Sequence, residues 1–162
     1  MSWETRDLAD CSQLTFNDFY VTERTGAIRL AWLLLGDASA AEDVTQEAFM
    51  AVFERYSTVE HPRAYLRQAI VNGVRSRARS TSRRNLRERL TAAGESVTSP
   101  APGDPLIDVL SELSQKQQTV LVLRYWADMP DEEIAEVLQL RQSSVRSLAH
   151  RGLRELKRKL PS

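Results

Sequence analysis

Residues 141–154 read RQSSVRSLAHRGLR. At helical spacing, Ser143, Ser144, Arg146, Ser147, His150, Arg151 and Arg154 share one side. Val145, Leu148, Ala149, Gly152, Leu153, Leu156 and Leu160 share the other. Short hydroxyls at the N-terminal end can approach base edges, and the arginines behind them can pair with guanine or neutralise phosphate. A solvated basic helix has the same composition, so the surrounding elements must decide between the two.

The preceding segment, DEEIAEVLQL (131–140), supplies the partner that a reading helix needs. Where two helices cross at a tight turn, the first requires a small residue, and Ala135 fits, flanked by Ile134 and Leu138. Ten positions later the second requires an aliphatic residue, and Val145 fits, with Leu148 one turn on. This spacing predicts a helix-turn-helix whose second helix meets the major groove. The turn usually carries Gly; here the position is Gln139, which demands strained backbone or a different turn. LIDVLSELS (106–114) and SQKQQTVLVLRYWADMP (114–130) read as two further helices, making a compact four-helix domain over 106–162.

Upstream, the apolar steps from Phe16 to Leu35 predict a helix over 14–37, with Gly36-Asp37 as its stop. A second helix covers 38–57, with Ser39 as its cap and Glu42 and Asp43 in its first turn. Its apolar line is Ala41, Val44, Ala48 and Val52; Glu42, Asp43, Gln46, Glu47 and Glu54 populate the polar side. STVEHP (57–62) breaks the pattern, and Pro62 suits the first turn of a third helix over 62–80. That helix buries Tyr65, Leu66, Ala69, Ile70, Gly73 and Val74, while Arg63, Arg67, Arg75 and Arg79 lie off the stripe. TAAGESVTSPAPGDP (91–105) has no periodicity and three prolines, and reads as a flexible linker. The fold class is therefore all-α: two small helical domains, 1–90 and 106–162, joined by a linker.

Net charge is zero over 162 residues, but it is segregated. Residues 1–60 carry −7, residues 61–90 carry +8, residues 91–140 carry −7 and residues 141–162 carry +6. Two basic blocks suggest two anion-binding surfaces, with acidic surface left for other partners. No apolar run approaches membrane-spanning length, and the acidic start MSWETRDLADC has no secretory signal character, so the chain reads as cytoplasmic with no membrane insertion. Cys11 is the single cysteine, which excludes an internal disulfide. The sequence offers no metal site, no cofactor site and no catalytic residue: there is no Gly-rich phosphate loop, no His/Cys cluster and no nucleophile motif. An enzyme is not expected.

DASAAEDVTQEAFMAVFERY followed by HPRAYLRQAIVNGVRSRAR resembles region two of extracytoplasmic-function (ECF) sigma factors. VLVLRYWADMPDEEIAEVLQLRQSSVRSLAHRGLRELKRKL resembles their region four. The two blocks occur in the family's order, and the third region of larger sigma factors is missing, as in this group. The resemblance implies an initiation subunit that brings RNA polymerase core to selected promoter DNA. Glu42, Asp43, Gln46 and Glu47 would then dock on the clamp helices of the largest polymerase subunit, an acidic face suited to a basic partner. The loop Ser57, Thr58, Val59, Glu60 and His61, with Arg63, Arg67, Asn72, Arg75 and Arg79, would engage and open the −10 element. Tyr65 reads as core rather than as a stacking platform. Ser143, Ser144, Arg146, Ser147, His150, Arg151 and Arg154 would read the −35 element; Ser143 and Ala149 depart from the family's commonest pattern. Sigma factors of this type are commonly held by an anti-sigma factor, and the sequence names none. The alternative is a stand-alone dimeric helix-turn-helix regulator with residues 1–90 as its effector or dimerisation domain.

Overall fold

In a computed structural model, the backbone is described for residues 4–91 and 105–160, and side chains for 15–80 and 105–160. The linker read over 91–105 falls, apart from its two end residues, outside the described residues, as does the side chain of Cys11. All regular structure among the described residues is helical. The N-terminal half is three helices: α1 (Glu4–Leu35), α2 (Ala38–Arg55) and α3 (Pro62–Thr91). The C-terminal half is α4 (Pro105–Ser111), α5 (Gln115–Leu121) running into a π-helical turn (Val122–Trp126), α6 (Asp131–Leu138) and α7 (Gln142–Lys159).

Local chemistry explains the breaks. Gly36 ends α1 in the left-handed region, φ 71°, and its N–H donates to Trp32 O at 2.7 Å. Asp37 then caps α2: its Oδ1 accepts from the backbone N–H of Ser39 at 2.9 Å and of Ala40 at 3.4 Å. Ser39, the residue that composition nominates as cap, is instead inside the first turn, because both side chains suit a cap and the stop at Gly36 selects the earlier one. Pro62 opens α3, with the Tyr65 N–H donating to His61 O at 3.1 Å. Ser114 and Gln117 form a reciprocal capping box on α5.

Both halves contribute to one cluster of buried apolar side chains. In the first, Ala27, Leu30, Ala31 and Leu34 of α1 meet Ala41, Val44, Ala48 and Val52 of α2 and Leu66, Ile70, Val71 and Val74 of α3, all buried. Val71 joins the predicted stripe because α3 packs on α1 and α2 together; Tyr65 is half-buried against this core, as read from the sequence. Phe16, Phe53 and Tyr56 close one end edge-on, Phe16 lying 4.9 Å from Phe53 and 5.3 Å from Tyr56 between ring centroids. In the second half, Val120, Leu123, Ile134, Val145 and Ala149 are fully enclosed.

Four features differ from expectation. The first helix starts at Glu4 and α3 continues to Thr91. The segment 114–130 is not one regular helix: Ala127 N–H donates to Val122 O, a five-residue step, and the chain turns at Asp128, φ 56°. Leu160, placed on the inward stripe of the last helix, is 53% exposed because α7 has ended by then.

The two halves touch. Gln118 Nε2 donates to Leu33 O at 2.8 Å, Arg67 Nη1 to Ala127 O at 2.6 Å and Arg75 Nη1 to Val137 O at 3.2 Å. Arg29 lies over Trp32 and Trp126, 4.6 and 5.8 Å from the ring centroids.

Candidate nucleic-acid interface

The helix-turn-helix is built as the Ala135–Val145 spacing requires. Ala135 and Val145 are both buried, and α6 packs on α7. Gln139 takes the left-handed conformation, φ 56° and ψ 43°, so its N–H and that of Leu140 return to the last carbonyls of α6, Leu140 to Ala135 O at 2.8 Å. This is the strained option that the missing glycine demanded. Arg141 begins α7 in extended geometry without a side-chain cap.

Val145, Ala149 and Gly152 anchor the inner side of α7, with Leu148, Leu153 and Leu156 half-buried. On the outer side Ser143, Arg146, Ser147, His150, Arg151 and Arg154 are exposed and Ser144 is half-exposed. The seven candidate reading residues thus share one accessible face. Arg151 Nε donates to Ser147 O at 3.3 Å, which lays that guanidinium along the helix. Beside this face runs a groove of about 420 Å³ lined by Lys116, Leu140, Ser143, Ser144, Ser147, Leu148 and Arg151. Lys116 was not among the expected residues. It stands on α5, and helical spacing within α7 carries no information about it.

The second basic surface is divided. The loop residues Ser57, Thr58, Glu60 and His61 are exposed and Val59 is half-buried. The loop is held at its root, where the N–H groups of Thr58 and Val59 both donate to Arg55 O at 2.9 Å. On α3, Arg63, Asn72 and Arg79 are exposed; Arg63 also pairs with Glu23 at 3.2 Å. Arg67 and Arg75, read as lying free of the buried stripe, are instead half-buried and hydrogen-bonded to carbonyls of the other half. The charged and His residues lining the groove between loop and α6 are Glu60, His61, Arg63 and Arg67 from one half, with the two arginines on α3, and Glu133 and Glu136 from the other. Opposite charges thus face each other across the contact.

Glu42, Asp43, Gln46 and Glu47 are all exposed on one face of α2. Asp43 pairs with Arg77 of α3 at 3.3 Å. The same face continues into Met50 and Phe53, 61% and 53% exposed; the sequence reading passed over Met50 and set Phe53 beside the apolar line, but its position on the helix turns it to the polar side. The available signal was that Met50 falls outside the line Ala41, Val44, Ala48 and Val52. An acidic helix face ending in exposed apolar side chains suits a protein partner better than solvent.

Residues 19–84 match the family described as Sigma-70 region 2, and residues 104–156 match Sigma-70, region 4. The RNA polymerase sigma-E factor of Streptomyces coelicolor is 32% identical over 156 residues, covering 91% of this chain and 86% of that protein. Its counterpart in Streptomyces avermitilis is 31% identical, covering 92% and 87%. Among solved structures, the sigma factor RpoE in complex with the anti-sigma factor NepR, from Bartonella quintana, is similar with a TM-score of 0.73 and 17% identity over 89% of this chain and 95% of that one. CnrH in complex with the cytosolic domain of CnrY is similar with a TM-score of 0.64 and 22% identity, covering 94% of each chain. At these identities the two structures establish the fold.

Proposed function

The chain belongs to the ECF RNA polymerase sigma factors, and from that premise we propose a division of labour among its surfaces. Sigma factors bind polymerase core and direct promoter-specific initiation, so a stand-alone dimeric regulator is not favoured. We assign core docking on the largest subunit's clamp helices to the α2 face Glu42, Asp43, Gln46 and Glu47, extended by Met50 and Phe53. We assign the −35 element to Ser143, Ser144, Arg146, Ser147, His150, Arg151 and Arg154 on α7. We assign the −10 element to Ser57, Thr58, Val59, Glu60 and His61 with Arg63, Arg67, Asn72, Arg75 and Arg79. The domain limits follow the same reading: 1–90, 91–105 and 106–162.

The observation that carries this reading is the contrast between the two DNA-facing surfaces. The α7 face is open, while Arg67 and Arg75 are engaged by the other half. Reading both elements at once requires the halves to part and the two arginines to be released to DNA. Core polymerase, binding α2 on a face remote from α7 in the chain, would set the new separation. The protein acts where polymerase is, in the cytoplasm, and no helix among the described residues is long and apolar enough to cross a membrane. It performs no catalysis of its own; its chemistry is recognition. The solved relatives of this fold are complexed with an anti-sigma factor in one case and a cytosolic partner domain in the other, and a protein partner of that kind would act by holding the halves together.

Run-off transcription with purified core polymerase on a promoter library tests the reading. The expected result is core-dependent initiation at a discrete set of promoters. Binding of DNA as a dimer, with neither core binding nor initiation, would overturn it.

A further inference from the structure

Asp131, the first residue of α6, faces two arginines at once. Its Oδ1 lies 3.4 Å from Arg124 Nε, and its Oδ2 lies 3.7 Å from Arg146 Nε. The Asp131 side chain is only 20% exposed, whereas that of Arg146 is 66% exposed. The carboxylate is therefore the fixed member of the pair, and Arg124 fixes it further from behind. Arg146 is braced a second time, because its Nη2 donates to Gln142 Oε1 at 3.3 Å. Only the Gln142 contact is a hydrogen bond, and it occupies one hydrogen of Nη2; the contact with Asp131 is an ion pair beyond hydrogen-bond distance. Both hydrogens of Nη1 and the other hydrogen of Nη2 remain for a ligand.

A guanine presents O6 and N7 side by side in the major groove, and a guanidinium reads them with two parallel donors. The free end of Arg146 has that pair of donors. A loose arginine on a basic helix would instead settle on the nearest phosphate, which binds any sequence. Holding the side chain in advance removes part of the ordering cost of binding. A fixed carboxylate beside it also repels phosphate.

We propose that Asp131 is a positioning residue for upstream-element recognition: it aims Arg146 at a G·C pair and disfavours its capture by the DNA backbone. This rests on the assignment of α7 to the −35 element. In consequence Asp131 lowers general DNA affinity while raising discrimination, two effects of opposite sign from one side chain. Glu132 and Glu133 share the first turn of α6 and keep its N-terminus acidic when Asp131 is neutralised, so Asp131→Asn should fold.

The test uses holoenzyme reconstituted from the full chain and polymerase core, at one fixed salt concentration. Its DNA probes are a promoter duplex selected from a random-sequence library, that duplex with each upstream-element base pair substituted in turn, and an unrelated duplex of equal length. Asp131→Asn is expected to lose about fivefold or more of the discrimination at one G·C pair, the scale of a single bidentate contact, and to bind the unrelated duplex more tightly. Asp131→Glu should retain the discrimination. Arg146→Ala should lose it at the same pair, and adding Asp131→Asn to that variant should change the discrimination no further. If Arg146→Ala lowers discrimination and Asp131→Asn does not, the positioning role falls and the assignment of α7 stands. If Arg146→Ala changes no base pair, both fall. Uniform weakening on every duplex by Asp131→Asn, with a lower melting temperature, would make Asp131 a fold residue only and overturn the proposal.

Discussion

The Arg67 guanidinium donates 2.6 Å to the carbonyl of Ala127, tying the helix that we assign to the −10 element to the backbone of the other half. A charged donor makes this one of the stronger contacts between the halves, worth about 2 kcal/mol. Its Nε is buried without a hydrogen-bond partner, which offsets much of that gain. Arg67 thus adds only a small net stabilisation to the contact between the halves. Arg67→Ala should shift the free protein toward separated halves, measured as a larger radius of gyration by small-angle scattering. The same variant should initiate more weakly at −10-dependent promoters. An unchanged radius would show that Arg67 does not hold the halves together.

Recognition and docking should separate by mutation. Arg151→Ala should cost about 1–3 kcal/mol at the upstream element and leave core binding unchanged. Asp43→Ala with Gln46→Ala should weaken core binding and leave the relative ranking of upstream sequences intact. Competition for core against a reference sigma factor measures the first property, and binding to promoter variants measures the second. Equal loss of both by either change, in folded protein, would dismiss the assignment of separate surfaces.

The start of α2 provides a stability test. Asp37 accepts two backbone N–H bonds there and Ser39 supplies one of those N–H groups from its backbone. Asp37→Ala should therefore destabilise the protein by about 1 kcal/mol, whereas Ser39→Ala should be near neutral. Chemical denaturation distinguishes them, and the opposite ranking would mean that Ser39 is the cap.

The sequence carried what depends on neighbours three, four or ten positions away. Ala135 and Val145 pack as their spacing demanded, the α2 polar face is exposed, and Gly36 ends α1. What it did not carry depends on distance along the chain. Arg67 and Ala127 are sixty residues apart, so no periodicity links them, and a half-buried arginine looks the same in sequence as a solvated one. Lys116 joins the α7 groove only because α5 packs across α7. The π turn at Val122–Trp126 escaped because its residues are ordinary helix residues and only the five-residue step at Ala127 reveals it.

The turn before the reading helix yields the last prediction. Gln139 sits at φ 56° between α6 and α7, and Asp128 sits at the same φ before α6. A residue with a Cβ pays about 1–2 kcal/mol in this region, and glycine avoids that cost while giving up some unfolded-state restraint. Gln139→Gly should then raise stability by roughly 0.5–1 kcal/mol, seen as a higher denaturation midpoint. Gln139→Val should lower it, because a β-branched side chain tolerates this conformation least. Neither change removes a reading side chain, so upstream discrimination measured at a temperature where both variants are folded should be preserved. A stabilised Gln139→Gly protein that loses discrimination would mean that the strain at Gln139 sets the angle at which α7 enters the groove. A Gln139→Gly protein with no gain in stability would mean that the Gln139 side chain makes contacts worth as much as the strain it carries.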